Sequence, residues 1–170
     1  FMWANRGRDN MLVWLPHHLQ AAREVAQPTL AARSKAAASE GCNGELTNIA
    51  DQTLVKNAAD HESSLVHWWP HFGTTEWLQY DFPNEEQVGT ARVYFFDDGA
   101  RGGGCRIPKS VTIKYLENDQ WRPVYFPAGT TIVKDGWTEL QFEPVKTRAL
   151  RLEMTFQDGV SGGVHEWEVF

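Results

Sequence analysis

Apolar and polar residues alternate with a period of two along most of the chain after residue 39. Four runs show this pattern most clearly, at residues 77–82, 91–96, 111–116 and 150–156. Such alternation is typical of β-strands that bury one face. Turn-forming sequences rich in Pro, Gly, Asn and Asp separate the runs, at residues 83–84, 97–104, 117–120, 127–129, 135–136 and 158–163. Short strands without helical patterns between them predict an all-β fold, an antiparallel sandwich or barrel.

The N-terminal part of the chain, before residue 39, lacks this sustained alternation. A polar turn at residues 5–10 precedes an apolar run at 11–15, which Pro16 ends, and this pattern predicts a strand that needs a sheet to join. Residues 17–38 are rich in alanine and are interrupted by Pro28. They have no sustained apolar stripe, so we expect a linker over residues 17–33 followed by a first edge strand. A short helix before Pro28 is the alternative.

Composition narrows the class of protein. The chain has 170 residues, 42% of them hydrophobic, which suits one domain with some excess at an end and argues against disorder. A net charge of −6 argues against binding to nucleic acid and to anionic membrane surfaces. Eight tryptophans are unusual, and indoles favour cores and binding sites. Cys42 and Cys105 allow one disulfide, whose formation depends on a Cα distance that the sequence leaves open.

The sequence His67-Trp68-Trp69-Pro70-His71 is the most conspicuous candidate site. An exposed indole stacks well on the apolar face of a sugar, and imidazoles bond to hydroxyl groups. The alternative is that a Trp fills the core beneath a loop. We expect both, with one indole buried and the other exposed. A zinc site on His67 and His71 would need a helix, which Pro70 disfavours.

A glycine-rich loop at residues 97–106 supplies further candidates. A phosphate-binding loop is excluded because no Lys-Ser/Thr and no helix follow the glycines. Asp97 and Asp98 are adjacent and are expected to point to opposite faces, so they would not flank one glycosidic bond. Arg101 and Arg106 suit ligand hydroxyls or carboxylates, or else salt bridges within the loop. Asp51 and Glu166 are candidate oxygen ligands for calcium.

The order of six segments resembles coagulation-factor type C, or discoidin-like, domains. The matching segments begin with Trp77-Leu78-Gln79-Tyr80-Asp81-Phe82 and continue in order at residues 93–96, 108–113, 121–124, 142–152 and 163–169. The resemblance covers residues 34–170 and implies a galactose-binding-like jelly-roll sandwich, similar to family 32 carbohydrate-binding modules. It places a structural calcium on Asp51 and Glu166. It also places sugar sites on loops at one end, at residues 67–71, 97–106, 136–137 (with Trp137) and 158–162.

Residues 1–16 carry a second resemblance. Trp3-Ala4-Asn5-Arg6-Gly7 and Met11-Leu12-Val13-Trp14 are similar to the end of β-L-arabinofuranosidase-type, family 127-like glycoside hydrolases. This implies that residues 1–16 are the last strand of a preceding β-domain, and that the catalytic residues of such an enzyme lie upstream.

These observations lead to two functional hypotheses. The first is a non-catalytic, secreted (extracellular or periplasmic) carbohydrate-binding module of a bacterial glycoside hydrolase. Its partners would be an oligo- or polysaccharide and the catalytic domain of the same polypeptide. Its binding residues would be His67, Trp68, Trp69, His71, Asp98, Arg101, Arg106 and Trp137. The second is a structural domain that packs against the catalytic domain and binds no sugar, with the tryptophans forming an interdomain patch.

Overall fold

The computed structural model describes residues 28–126 and 129–170. The predicted strand at residues 11–15, most of the predicted linker and the alternative helix before Pro28 lie outside these residues. The described part contains three 3₁₀ helices, Ala31–Arg33, Leu46–Ala50 and Gly99–Arg101. Its strands are β1 (Lys35–Ala38), β2 (Val66–His67), β3 (Thr75–Phe96), β4 (Ser110–Glu117), β5 (Gln120–Pro123), β6 (Trp137–Thr155) and β7 (Gly163–Val169).

The paired strands are all antiparallel, and two of them extend through both layers of the fold. In one layer, the first half of β3 pairs with β1 on one side and with the second half of β6 on the other. The second half of β6 also pairs with β4, and β4 pairs with β5. The second half of β3 pairs with the first half of β6 and with β7, which also pairs with β2. This arrangement confirms the predicted all-β antiparallel sandwich, and it also places the predicted edge strand, β1, at the rim of one layer.

One predicted turn is wrong. The sequence predicts a turn at Pro83-Asn84 between two strands, whereas β3 continues through both residues. The register of β3 against β6 shifts between Asp81 and Glu86, so four residues of β3 face a single residue, Arg148. Pro83 lies within this irregularity, where its missing N–H removes no ladder hydrogen bond. The strand therefore bends and passes from one layer to the other without a chain reversal.

The core combines apolar members of the alternating runs with residues outside them, such as Trp68 and Trp167. Those runs bury Leu78, Tyr80, Phe82, Ala91, Val93, Phe95, Ile113, Leu150, Leu152, Met154 and Phe156. Tyr80 from one layer stacks on Trp167 from the other, with ring centroids 4.3 Å apart and planes 16° from parallel. The Tyr80 hydroxyl lies 3.0 Å from the carbonyl oxygen of Trp167 and 3.2 Å from that of Ile49, to which it donates. This contact joins both layers to the 3₁₀ helix Leu46–Ala50.

The six tryptophans in the described residues divide into distinct environments. Trp68 and Trp167 are fully buried, whereas Trp69 is 46% exposed. Trp77 and Trp121 hold the guanidinium of Arg151 between them at 4.1 and 4.2 Å from the ring centroids. Trp137 lies beneath the guanidinium of Arg92 at 4.3 Å. The high tryptophan content therefore serves the core and cation–π contacts, and leaves one half-exposed indole at a loop.

The end of the predicted linker belongs to the sandwich, because Leu30 and Ala31 pack against its core. Cys42 and Cys105 are both free thiols. Within the described ranges, none of the helices has the length and hydropathy needed to cross a membrane.

Replacing Tyr80 with Phe should lower the free energy of unfolding by about 1–2 kcal/mol, because the one hydroxyl proton that two buried carbonyl oxygens share is lost while the ring stack is retained. Chemical denaturation measures this change. Tyr125→Phe is the matched control, since Tyr125 is 65% exposed and should leave stability unchanged. Equal effects of the two substitutions would contradict an anchoring role for the Tyr80 hydroxyl.

Candidate functional site

A pocket of about 530 Å³ lies where the end of β3 meets three loops. Its apolar lining comes from Leu65, Trp69 and Phe96, and its polar lining from His61, His67 and Asp98. The backbone of residues 102–104 forms another wall. A concave site with mostly apolar walls and a few convergent polar groups suits a small organic ligand.

Trp69 forms the aromatic wall of this pocket. The amide of the preceding residue, Trp68, donates to the carbonyl oxygen of Gly162 at 3.1 Å, and the Trp68 side chain is buried against Phe156. The Trp69 indole lies directly on Gly104, where an added Cβ would approach ring atom Cζ3 within 1.7 Å. The one buried and one exposed indole expected from the sequence are thus Trp68 and Trp69.

The glycine run at residues 102–104 allows two side chains to approach the backbone closely. A Cβ on Gly103 would lie 2.0 Å from the Asp98 carboxylate, just as a Cβ on Gly104 would overlap Trp69. The Asp98 Oδ1 atom accepts a hydrogen bond of 2.8 Å from the amide of Cys105. The run therefore positions an indole and a carboxylate on neighbouring walls of one pocket.

His67 and Asp98 form the polar corner of the pocket. The Trp69 amide donates to Nδ1 of His67 at 3.2 Å, so the neutral imidazole carries its proton on Nε2. Burial lowers the pKa of His67, although the nearby Asp98 opposes this effect, and the ring is neutral at pH 7. Asp98 Oδ2 lies 3.6 Å from Nε2 of His61. The corner thus offers an N–H donor beside a carboxylate acceptor.

His61 is a pocket residue that the sequence patterns did not indicate. Its loop is fixed by Asp60, which accepts hydrogen bonds from the Glu62 amide and the Ser63 hydroxyl; these bonds lower the pKa of Asp60 to about 2. The His61 ring meets Phe96 edge-on, with centroids 5.0 Å apart. Beneath the loop, the buried His165 ring contacts the carbonyl oxygens of Ser64 and Ala58. No periodicity marks such a loop residue, since its position depends on contacts distant in sequence.

Several residues predicted to bind ligand lie outside the pocket lining. Trp68 is in the core, so its indole is unavailable for stacking. His71 instead bonds through Nδ1 to the buried Glu76 at 2.8 Å, which anchors the loop that carries Trp69. Arg101 is exposed at the end of the 3₁₀ helix Gly99–Arg101. It is not itself a lining residue, although it adjoins Gly102, which is.

Arg106 and Trp137 are engaged elsewhere as well. The Arg106 Nη1 atom donates to the carbonyl oxygens of Gly103 and Cys105 at 2.9 and 2.7 Å. It also lies 3.9 Å from Asp98 Oδ1, which accords with the alternative of a salt bridge within the loop. Trp137 begins β6 and lines a separate hollow with Val133 and Glu139. Of the predicted ligand-binding residues, the structure brings together His67, Trp69 and Asp98.

Asp97 and Asp98 face different surroundings, as expected from their adjacency. Asp97 is buried and accepts hydrogen bonds from the Gly99 and Ile107 amides and from Lys134 Nζ. Burial raises the pKa of Asp97, but these donors outweigh it and the pKa lies below its usual value. Among the described residues, Asp98 is thus the single carboxylate that lines the pocket.

Asp51 and Glu166, the predicted calcium ligands, come together beside β7, the strand that carries Glu166. Both accept a hydrogen bond from the amide of Thr53, at 2.8 Å to Asp51 Oδ1 and 3.0 Å to Glu166 Oε1. Glu166 Oε2 is buried and has no hydrogen-bond partner among the described residues. Burial and the neighbouring Asp51 raise the pKa of Glu166 to about 9. Two converging carboxylates with an unpaired oxygen are a fitting donor set for a hard cation.

A cation there would need additional ligands. The described residues contain no group of three or more His, Cys, Asp and Glu side chains arranged to hold a metal ion. Calcium commonly completes its coordination with backbone carbonyl oxygens and water. The carboxylate pair therefore fits calcium better than it fits zinc, which favours nitrogen and sulfur ligands.

Comparison with known proteins identifies the fold. A scan against models of protein families finds no match. Among solved structures, the chain is similar to one from the β-galactosidase BgaA of Streptococcus pneumoniae, with 19% identity, a TM-score of 0.67 and coverage of 87% of this chain and 94% of that one. It is also similar to the family 32 carbohydrate-binding module of Clostridium perfringens NanJ in complex with galactose (14% identity, TM-score 0.61, coverage 82% and 95%).

A third similar structure is chitosan-binding module 2 of a Paenibacillus chitosanase/glucanase, in complex with chitotriose (16% identity, TM-score 0.58, coverage 84% and 99%). At such identities, the likeness establishes the fold alone. The described part of the chain therefore has an all-β antiparallel sandwich fold similar to that of these carbohydrate-binding modules.

Proposed function

We propose that this chain is a non-catalytic carbohydrate-binding module whose pocket takes one sugar ring against Trp69. The observation that carries the proposal is the half-exposed Trp69 indole beside a preformed polar corner. An apolar wall with a few fixed donors and acceptors is what a sugar requires, since a sugar ring has an apolar face and a hydroxyl rim. The fold shared with sugar-binding modules supports the same conclusion.

Each lining residue has a defined role in this proposal. Trp69 stacks on the apolar face of the ring, Nε2–H of His67 donates to one hydroxyl, and Asp98 Oδ2 accepts from another. Asp98 is the one acidic side chain among the described lining residues, and none of these residues is a lysine or an arginine. Outside the lining, Nη1 of Arg106 lies 3.9 Å from Asp98 Oδ1 and also donates to backbone carbonyls. Neutral and amino sugars are therefore favoured over sugar acids, whose carboxylates Asp98 would repel.

The same geometry supports binding without hydrolysis. Glycoside hydrolysis generally needs two carboxyl groups flanking one bond. The pocket has Asp98 alone among its described lining residues, while Asp97 is committed to Lys134 and two amides. We propose that the module serves a secreted bacterial glycoside hydrolase, on the basis of the resemblance in residues 1–16, and that catalysis belongs to that enzyme's own domain.

We also propose that Asp51 and Glu166 hold a structural calcium ion together with backbone carbonyls. When bound, the ion would supply positive charge that keeps both carboxylates ionised and cross-links β7 to the segment after Leu46–Ala50. In its absence, the two acids share a proton. The buried, unpaired Oε2 atom of Glu166 is the observation that favours this site.

Trp69→Ala should weaken sugar binding at least tenfold, because the stacking face is lost. Isothermal titration calorimetry with galactose, N-acetylglucosamine, glucosamine and arabinose, and with oligosaccharides from galactan and arabinan, measures the affinity. Trp137→Ala is the control and should bind as the original chain does. Equal loss in both variants would place the site elsewhere. No binding of any sugar by the folded chain would favour the structural-domain alternative.

Gly104→Ala should displace the indole, since its Cβ would overlap the Trp69 ring. We expect at least tenfold weaker sugar binding and greater quenching of tryptophan fluorescence by acrylamide, with a stability loss of about 1–3 kcal/mol. Gly159→Ala is the matched control. Gly159 has a φ of 75° and open space around it, so that change should strain the backbone and leave binding intact. Unaltered quenching in Gly104→Ala would contradict the close packing.

Calcium binding should appear as a pH-dependent change in thermal stability. Without calcium, folded Glu166 retains its proton up to about pH 9, whereas unfolded Glu ionises near pH 4.5. The folded state then binds more protons, so in EDTA the melting temperature should fall between pH 7 and 8.5. Added calcium should raise the melting temperature and remove this slope, because it replaces the proton.

The chosen interval lies above the titration of His67, whose lowered pKa acts in the opposite sense. Glu166→Gln is the informative variant, because an amide imitates the protonated acid and cannot supply a carboxylate to calcium. It should lose the calcium response and most of the slope in EDTA. The buried thiols of Cys42 and Cys105, whose pKa values burial raises to about 11 and about 12, leave a small slope of the same sign near pH 8.5. A calcium response of unchanged size in Glu166→Gln would overturn the proposed ligand.

A further inference from the structure

A second aromatic ring adjoins the pocket outside its lining. Phe72 is 48% exposed, close to the 46% of Trp69, and the two ring centroids lie 5.0 Å apart with their planes at 80°. Two neighbouring half-exposed aromatic rings leave apolar surface in water, and such surface commonly marks a contact site. Trp69 thus lines the pocket and also contacts Phe72, which is not among the lining residues.

The loop that carries both rings is held at several points. The amide of His71 donates to the Trp68 carbonyl oxygen at 2.6 Å, and the amide of Gly73 donates to that of Val160 at 3.0 Å. The bond from His71 to Glu76 fixes the middle of the loop. A ligand that meets both rings therefore finds them already in place, which reduces the entropy lost on binding.

We propose that Phe72 forms a second sugar subsite, so that the preferred ligand is a glycan chain that bends between adjacent rings. This inference rests on the proposed function, because it assumes a first sugar stacked on Trp69. The next sugar in the chain would leave the pocket over the Trp69 edge and meet Phe72.

The orientation of the rings selects the shape of the glycan. Flat, ribbon-like chains place successive sugar rings nearly in one plane and suit coplanar aromatic platforms. Rings at 80° offer contact to two sugars whose planes differ strongly. Linkages through an axial hydroxyl, as in β-1,4-galactan, or through flexible furanosides, as in α-1,5-arabinan, turn the chain in this way. Chitosan and chitin oligomers keep it extended.

Calorimetric titrations of three matched pairs test the inference: galactose with β-1,4-galactotriose, methyl α-L-arabinofuranoside with α-1,5-arabinotriose, and glucosamine with chitotriose. We expect a trimer of galactose or arabinose to bind about tenfold more tightly than its monosaccharide, and chitotriose to gain less. Phe72→Ala should remove the gain of the bent trimer and leave the affinity for its monosaccharide unchanged. Phe72→Tyr should preserve the gain.

Tyr125→Ala, which removes another exposed aromatic ring, is the control and should behave as the original chain does. Trimers that bind no better than their monosaccharides would overturn the second subsite, as would a Phe72→Ala variant that weakens both by the same factor. A gain for chitotriose equal to or above that of the bent trimers would overturn the bent-chain preference. If the folded chain binds none of the six sugars, the proposed function fails, and this inference fails with it.

Discussion

The contact between Tyr80 and Trp167 is the constraint on which the rest of the sandwich depends. It is the point where two layers, sharing the long strands β3 and β6, meet face to face in the core. The Tyr80 hydroxyl extends the contact to the backbone of Ile49, at the end of the 3₁₀ helix that precedes Asp51. Because Trp167 is also the neighbour of Glu166, one buried stack holds both arms of the proposed calcium site.

The candidate sugar site depends on a different kind of contact, between side chains and bare backbone. Glycine at positions 103 and 104 allows a carboxylate and an indole to lie where a Cβ would stand. This arrangement fixes Trp69 without burying it, since the loop supports one part of the ring while another part remains in solvent. A site of this type is rigid because of the main chain, and its specificity then comes from the few polar groups around it.

Sequence periodicity predicted the layers well and the loops poorly, for a physical reason. Alternation reports burial of one strand face, so Leu78, Leu152 and Met154 were assignable to the core from sequence alone. The prediction of a turn at Pro83 was wrong because a bulge within a long strand also accommodates proline. His61 and the role of Arg106 are set by contacts that local sequence does not encode. The sequence His67–His71 indicated a site. Which of its side chains reach solvent depends on distant contacts, from Trp68 to Gly162, from Trp69 to Gly104 and from His71 to Glu76.

The difference between strands, whose apolar pattern is simple, and loops, whose contacts are specific, explains how proteins with only 14–19% sequence identity to this chain share its fold. An alternating strand needs only apolar residues of suitable volume on one face, so many sequences satisfy the same sandwich. The loops at its rim are free of that requirement, so each substitution there can change which polar groups the surface presents. The arrangement of Trp69, Phe72, His67 and Asp98 therefore belongs to this chain's own loops. The ligand of the proposed site must therefore be deduced from the geometry of these loops, because the shared scaffold establishes the fold and leaves the chemistry of the rim to each sequence.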